Sequence, residues 1–213
     1  ANDCSRAGSR HGVRRMVMFV VGSGRCGTKS VAAAFHLAGV PTDHESHLEA
    51  LLPLQHAYVT GILDLDTTAA TIKKACNFKN VEASYVFTGL VDPLQEAYPD
   101  ADLLHVTRDP DDTADSMVRN GWYDPKDDWL WPVSYTWITP EGVWSAGDHP
   151  QYRITAPWVG EMTWTEWQDT PQWDRCRWWI DWTHRRLDGI PQLPIEDGHL
   201  FINGREVTLP RIV

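Results

Sequence analysis

Two rhythms of apolar and polar positions run along this chain. From Arg15 to Gly22, "RMVMFVVG" is a nearly continuous apolar run, the pattern of a strand buried on both faces of a parallel sheet. After a glycine-rich stretch, "TKSVAAAFHLAG" carries Val31, Ala34, Phe35 and Ala38 at i, i+3, i+4 and i+7, the apolar stripe of a helix, with Gly39 suited to its C-terminal turn. "VPTDHESHLEALLPLQHAY" predicts a short extended piece and then a helix that Pro53 kinks or interrupts. "DLDTTAATIKKACNF" predicts another helix, capped by Asp66 or Thr67. "VEASYVFT" and "DLLHVT" read as strands separated by a short helix around "DPLQEAY". A helix follows "RDP", with Pro110 at its first position, Asp109, Asp111 and Asp112 at its positive end, and Gly121 closing it. Strands alternating with helices predict a three-layer α/β fold around a parallel sheet.

Beyond Trp122 the rhythm changes. All 12 tryptophans lie between Trp122 and Trp182, amid Pro, Gly and Asp, which suggests an acceptor-binding or lid segment. Most of these rings are expected to pack in a core, and Trp178 and Trp182 share one helical face beside Trp179. That helix, "TPQWDRCRWWIDWTHRRLDG", is expected to have Thr170 as cap, Pro171 at its first position and Gly189 at its end. "HLFINGREVTL" places Asn203-Gly204 between two strand-like arms, a terminal β-hairpin. Residues 1–15, with Arg6, Arg10, Arg14 and Arg15 and no apolar partner, are expected to form a flexible leader. Residues 16–213 are expected to form one domain, a core over 16–123 and a tryptophan-rich part over 124–213.

Composition narrows the classes. An apolar fraction of 42% and a charged fraction of 23% are those of a water-soluble globular chain, and a net charge of −10 argues against nucleic-acid backbones as partners. Cys4, Cys26, Cys76 and Cys176 form no close pair, so neither a disulfide framework nor a cysteine metal site is expected. The first apolar run is too short to span a bilayer and lacks a signal-peptide cleavage region, which makes the cytoplasm the expected compartment.

The candidate chemistry lies in "GSGRCGTKS". A glycine-rich turn between a strand and a helix presents backbone N–H groups to an anion at the helix's positive end. An ATP loop of the Walker type needs its lysine directly after the last glycine, and here Thr28 stands between Gly27 and Lys29. With Arg25 in the basic position, Cys26 in the small one, then Gly27 and Thr28, the loop resembles the 5′-phosphosulfate loop of sulfotransferases; Lys29 departs from the usual second hydroxyl residue. "LLHVTRDPDDTADSMVRNGWY" resembles the same family's 3′-phosphate motif, with Arg108 at a strand end and Ser116 eight residues on. The resemblance spans roughly Met16 to Tyr123; the family's C-terminal Arg-Lys-Gly stretch over the nucleotide is absent, with Arg205 the candidate for its replacement.

The resemblance implies a P-loop-like fold and transfer of a sulfuryl group from 3′-phosphoadenosine-5′-phosphosulfate (PAPS) to a small-molecule or glycan acceptor. Ser23, Gly24, Arg25, Cys26, Gly27, Thr28, Lys29 and Ser30 would hold the phosphosulfate, and Arg108 and Ser116 the 3′-phosphate. Such chemistry requires no metal, but it needs a base for the acceptor and a cation for the departing oxygen. Arg25 is the first choice for the cation and Lys29 the second. In several branches of the family a glutamate shortly after the first helix is the base; Glu45 in "TDHESHLE" matches it best, with His44 the alternative and His47 beside the acceptor. Glu82 and Ser84 are further acceptor candidates. His105, inside a strand, is expected to be a core histidine. A P-loop kinase with "GILDLD" as metal-binding strand, through Asp64 or Asp66, and a non-catalytic nucleotide- or glycan-binding module are the alternatives.

Overall fold

The computed structural model describes residues 17–78, 80–124 and 153–195 in full, and the backbone of 135–139, 142–146, 196, 199–202 and 205–208. In chain order the elements are β1 (Met18–Val21), α1 (Thr28–Leu37), β2 (Thr42–His44), α2 (Leu48–Val59), α3 (Leu65–Ala75), β3 (Val81–Ala83), α4 (Val91–Ala97), β4 (Asp102–Thr107) and α5 (Pro110–Arg119). After them come β5 (Tyr135–Thr139), β6 (Gly142–Ala146), α6 (Trp164–Asp169), α7 (Gln172–Arg186), β7 (Gln192–Glu196), β8 (His199–Ile202) and β9 (Arg205–Thr208).

The main sheet runs β2-β3-β1-β4-β7-β8-β9. Its first five strands are parallel, and β8 and β9 extend it antiparallel. Alternation along β1 assigns the layers. Phe19 and Val21 point into a core with Leu51, Leu54, Ile72, Leu90 and Leu94. Val20 points the other way, against Val31, Ala32 and Ala34 of α1. The sheet thus lies between α1 on one face and α2, α3 and α4 on the other, the three-layer α/β arrangement expected. Because β1 sits between β3 and β4, successive crossovers diverge on either side of it and open a crevice at the carboxyl end of the strands.

The tryptophan-rich part builds a second core. Trp122, Trp167, Trp179 and Trp182 are buried with Met117, Tyr123 and Ile154, where α5 packs on α7. Trp179 stacks on Trp182 with ring centroids 5.2 Å apart. The leader, the turn Asn203-Gly204 and Trp129 and Trp131 lie outside the described residues. β8 and β9 do pair as a hairpin, with Ile202 opposite Arg205.

Several local readings need correction. Asp64, rather than Asp66 or Thr67, caps α3, its carboxylate accepting from the Thr67 N–H at 2.8 Å. "GILDLD" therefore forms a turn and a helix start, which removes the metal-binding strand a kinase would need. Thr170 does not cap α7: its hydroxyl donates back to the Glu166 carbonyl at 2.7 Å, and Pro171 occupies the cap position. Of the two expectations for Pro53, a kink or an interruption, the second does not hold, since α2 continues through it. "VEASYVFT" is a strand only to Ala83. Ser84 then caps a 3-10 helix over Tyr85–Leu90, accepting from the Val86 N–H at 3.2 Å.

Candidate active site

β1 delivers the chain to the crevice, where glycines let the loop turn back tightly. A Cβ on Gly22 would stand 2.7 Å from the Cys26 sulfur and 2.9 Å from the Val106 carbonyl, so only glycine allows the loop to lie against β4. Gly24 and Gly27 have φ of +75° and +114°. Arg25 also has positive φ, 53°, a conformation that costs a residue with a Cβ about 1–2 kcal/mol. α1 then starts at Thr28 with no side-chain cap and no acidic residue in its first turn. Its positive end and first N–H groups are directed at the crevice, an arrangement suited to an anion.

The crevice holds a cavity of about 590 Å³. The loop and α1 contribute Gly24, Arg25, Gly27, Thr28, Lys29 and Ser30, and the end of β2 contributes His44 and Glu45. Arg108 comes from the connection between β4 and α5 and Ser116 from α5, and Leu48, Tyr85, Trp122 and Arg153 complete the wall. Arg25, Lys29, Arg108 and Arg153 face a single carboxylate, Glu45, so this pocket is cationic in a chain whose net charge is −10. Arg25 Nε donates to Ser116 Oγ at 3.3 Å across 91 residues of sequence, joining the two motifs. Arg108 pairs with Asp112 at 3.6 Å, but both side chains are more than a third exposed, so the pair holds it weakly.

Glu45 follows β2 in the left-handed region, φ 56°, and its N–H donates to the Ala83 carbonyl at 3.1 Å. His44 Nε2 lies 3.5 Å from the Thr28 hydroxyl and 3.8 Å from the Glu45 carboxylate. Burial pushes the proton affinity of Glu45 up, the neighbouring Glu82 adds to this, and Lys29 opposes it. Burial and then Lys29 hold His44 below its ordinary value, so its ring stays neutral. A carboxylate with raised proton affinity thus stands beside a neutral imidazole at the rim of a cationic pocket.

The other sequence candidates lie behind the wall. Ser23 and Cys26 are buried under the loop, the Ser23 hydroxyl bonding to the Gly24 carbonyl. His47 heads α2 with its ring edge-on to Phe78, centroids 5.0 Å apart. Glu82 is buried and bonded to Ser46, and Ser84 is committed to its cap. Neither Glu82 nor Ser84 lines the cavity. Sequence reasoning missed Tyr85, Trp122 and Arg153. Arg153 lies over the Trp122 ring at 4.1 Å, and Tyr85 meets that ring edge-on at 5.5 Å. It also missed Trp179, whose indole N–H donates to the Ser23 carbonyl at 2.6 Å and ties α7 to the loop. The position of Trp122 directly after the glycine that closes α5 was the one available signal for this wall. His105 is the expected core histidine, ring against ring with His184 at 5.3 Å.

Fold and site together define an α/β protein with a cationic pocket at the end of a central strand and a half-buried carboxylate at its rim. The family model described as Sulfotransferase domain matches residues 17–186, and the chain belongs to that family, whose members transfer sulfuryl groups. Among curated proteins, none matches the chain. Among the described residues no helix is long and apolar enough to cross a membrane, and no three His, Cys, Asp or Glu side chains converge as they would around a metal ion.

Proposed function

We propose that the chain transfers a sulfuryl group from PAPS to a hydroxyl or amine of a small-molecule or glycan acceptor by in-line displacement. The observation that carries this reading is the Arg25–Ser116 hydrogen bond, which brings the phosphosulfate-loop motif and the 3′-phosphate motif into one cationic cavity. A donor with phosphates at both ends of one ribose suits two such anchors, whereas ATP carries its charge in a single chain. In this reading the loop N–H groups, Thr28 and Lys29 hold the 5′-phosphosulfate, and Arg108 and Ser116 hold the 3′-phosphate. Trp122, Tyr85 and Arg153 form the flat wall for the adenine ring.

Glu45 takes the acceptor proton as the acceptor oxygen or nitrogen bonds to sulfur. The bond from sulfur to the bridging phosphate oxygen breaks, and Arg25 neutralises the charge left there. Products are the sulfated acceptor and 3′-phosphoadenosine-5′-phosphate. The raised proton affinity of Glu45 supports its choice as base, because an ordinary carboxylate removes a proton poorly near neutral pH. His44, whose Nε2 stands 3.8 Å from that carboxylate, is the alternative base. A cytoplasmic location belongs to the same reading, and the buried free thiols Cys26, Cys76 and Cys176 fit a reducing compartment.

The test is transfer of radiolabelled sulfur from PAPS into a panel of phenols, alcohols, amines and oligosaccharides, with wild type and Glu45→Gln in parallel. Label should enter at least one acceptor with wild type and none with Glu45→Gln, while the variant still binds 3′-phosphoadenosine-5′-phosphate. Turnover by Glu45→Gln at the wild-type rate removes Glu45 from the mechanism.

A further inference from the structure

We infer that Glu82, which does not touch the cavity, is a positioning residue that sets the Glu45 turn and acts on the charge of Glu45 through space; the inference rests on Glu45 being the base. β3 lies between β2 and β1, so Glu82 occupies the interior of the sheet and is 4% exposed. A carboxylate there is costly unless its oxygens are satisfied. Both are satisfied by one residue: Glu82 accepts from the Ser46 N–H at 2.9 Å and from the Ser46 hydroxyl at 2.8 Å.

That residue directly follows Glu45. With φ of 56°, Glu45 adopts a conformation that persists only where its surroundings fix it. The fixing comes from consecutive β3 residues. Ala83 accepts the Glu45 N–H at 3.1 Å and Glu82 holds Ser46, so the turn is bonded to the sheet on both sides of the Glu45 α-carbon. The same contacts determine where the Glu45 carboxylate enters the cavity.

A neutral side chain at position 82 can make the turn bonds. Only a carboxylate also repels the Glu45 charge and so strengthens its hold on a proton. The charged and titratable groups around the pair come from every neighbouring element. Lys29 of α1 opposes Glu82 at Glu45, and His44 at the end of β2 lies 3.8 Å from the Glu45 carboxylate. Burial pushes the proton affinity of Glu82 itself up, and the two Ser46 bonds oppose this and favour its charge. Asp43 of β2 and His47 of the turn act on it in opposite directions, and Cys76 at the end of α3 faces it.

Glu82→Gln separates the two effects, since glutamine keeps the shape and one acceptor and loses the charge. Affinity for 3′-phosphoadenosine-5′-phosphate should stay within about twofold, while kcat should fall roughly two- to tenfold, because Glu45 becomes a weaker base without being displaced. The acid limb of the kcat/KM profile should move to lower pH. Ser46→Ala, at an exposed position, keeps the carboxylate at position 82 and one of its two turn bonds. It should lower kcat by about three- to tenfold and move the limb less than Glu82→Gln does. A 13C-NMR titration of the Glu45 side-chain carboxyl reads the coupling without turnover, and its midpoint should drop in Glu82→Gln. An unchanged Glu45 midpoint in Glu82→Gln, or wild-type kcat in both variants, overturns the inference. Because the titration needs no acceptor or donor, failure to transfer sulfur sinks the proposed function alone, and the titration still decides the role of Glu82.

Discussion

Replacing Trp179 by phenylalanine isolates one contact between the tryptophan-rich core and the phosphate loop. The ring is 1% exposed and stacked on Trp182, and its N–H donates to the Ser23 carbonyl at 2.6 Å. Phenylalanine retains much of the stacking and loses the donor. A buried carbonyl left unsatisfied costs about 1–3 kcal/mol, and the smaller ring leaves a void worth roughly another 1 kcal/mol. The sum, about 2–4 kcal/mol, is a substantial part of a stability of about 5–15 kcal/mol. At roughly 2–4 °C per kcal/mol for a chain of this size, Tm should fall by about 5–15 °C in scanning calorimetry. Because Ser23 belongs to the loop, affinity for 3′-phosphoadenosine-5′-phosphate should also weaken, by about tenfold. Trp182→Phe is the control, since it disturbs the same stack and leaves the loop hydrogen bond intact; it should lower Tm without loosening the ligand. Wild-type Tm and wild-type affinity in Trp179→Phe would refute the coupling. A loss of Tm with unchanged affinity would reduce Trp179 to a packing residue.

Acid should destabilise the fold partly through histidine. Burial holds His56 and His105 at about 4, against 6.5 in the open chain, and His184 adds to the effect at His105. Both rings are neutral when folded, so their contribution is complete above pH 6.5 and is lost as pH falls from 6.5 towards 4, where only the unfolded chain binds the protons. Urea midpoints should therefore fall more between pH 7 and pH 5 for wild type than for His105→Gln; equal falls contradict the assignment. The buried thiols of Cys76 and Cys176, both pushed up to about 12, should resist alkylation by iodoacetamide at pH 8 in the folded protein and react promptly in urea. Rapid labelling of either in the folded state contradicts their burial.

The parts of the site that could be read in the sequence are those encoded by contiguous residues. A both-face apolar strand, glycines at the turn and an apolar stripe specify β1, the loop and α1 within about 20 residues, and "RDP" with its acidic neighbours marks the start of α5 as surely. The opaque parts depend on distant partners. Nothing local to Trp179 indicates a bond to Ser23, 156 residues away. Glu82 has the same strand context as any acceptor-facing residue, and only the turn that follows β2 gives its carboxylate a partner. "SYVFT" has strand-forming side chains, yet Ser84 caps a helical turn there and the Thr88 hydroxyl donates to the Gly22 carbonyl at 3.0 Å. At "SYVFT" a local cap and a tertiary hydrogen bond together outweigh the strand preference of the side chains. The cap of α3 shows the smaller version of this: Asp64, Asp66 and Thr67 are all good caps in isolation, and the packing of the helix selects the first.

In the proposed function the cavity takes a donor with phosphates at both the 3′ and 5′ ends of one nucleoside. Isothermal titration calorimetry with 3′-phosphoadenosine-5′-phosphate, alongside ATP with Mg²⁺, tests it without knowledge of the acceptor. Tight binding of the bisphosphate, much weaker binding of Mg-ATP, and loss of the preference in Arg108→Ala are the expected results. Tight Mg-ATP binding with no detectable bisphosphate binding would contradict the proposed function.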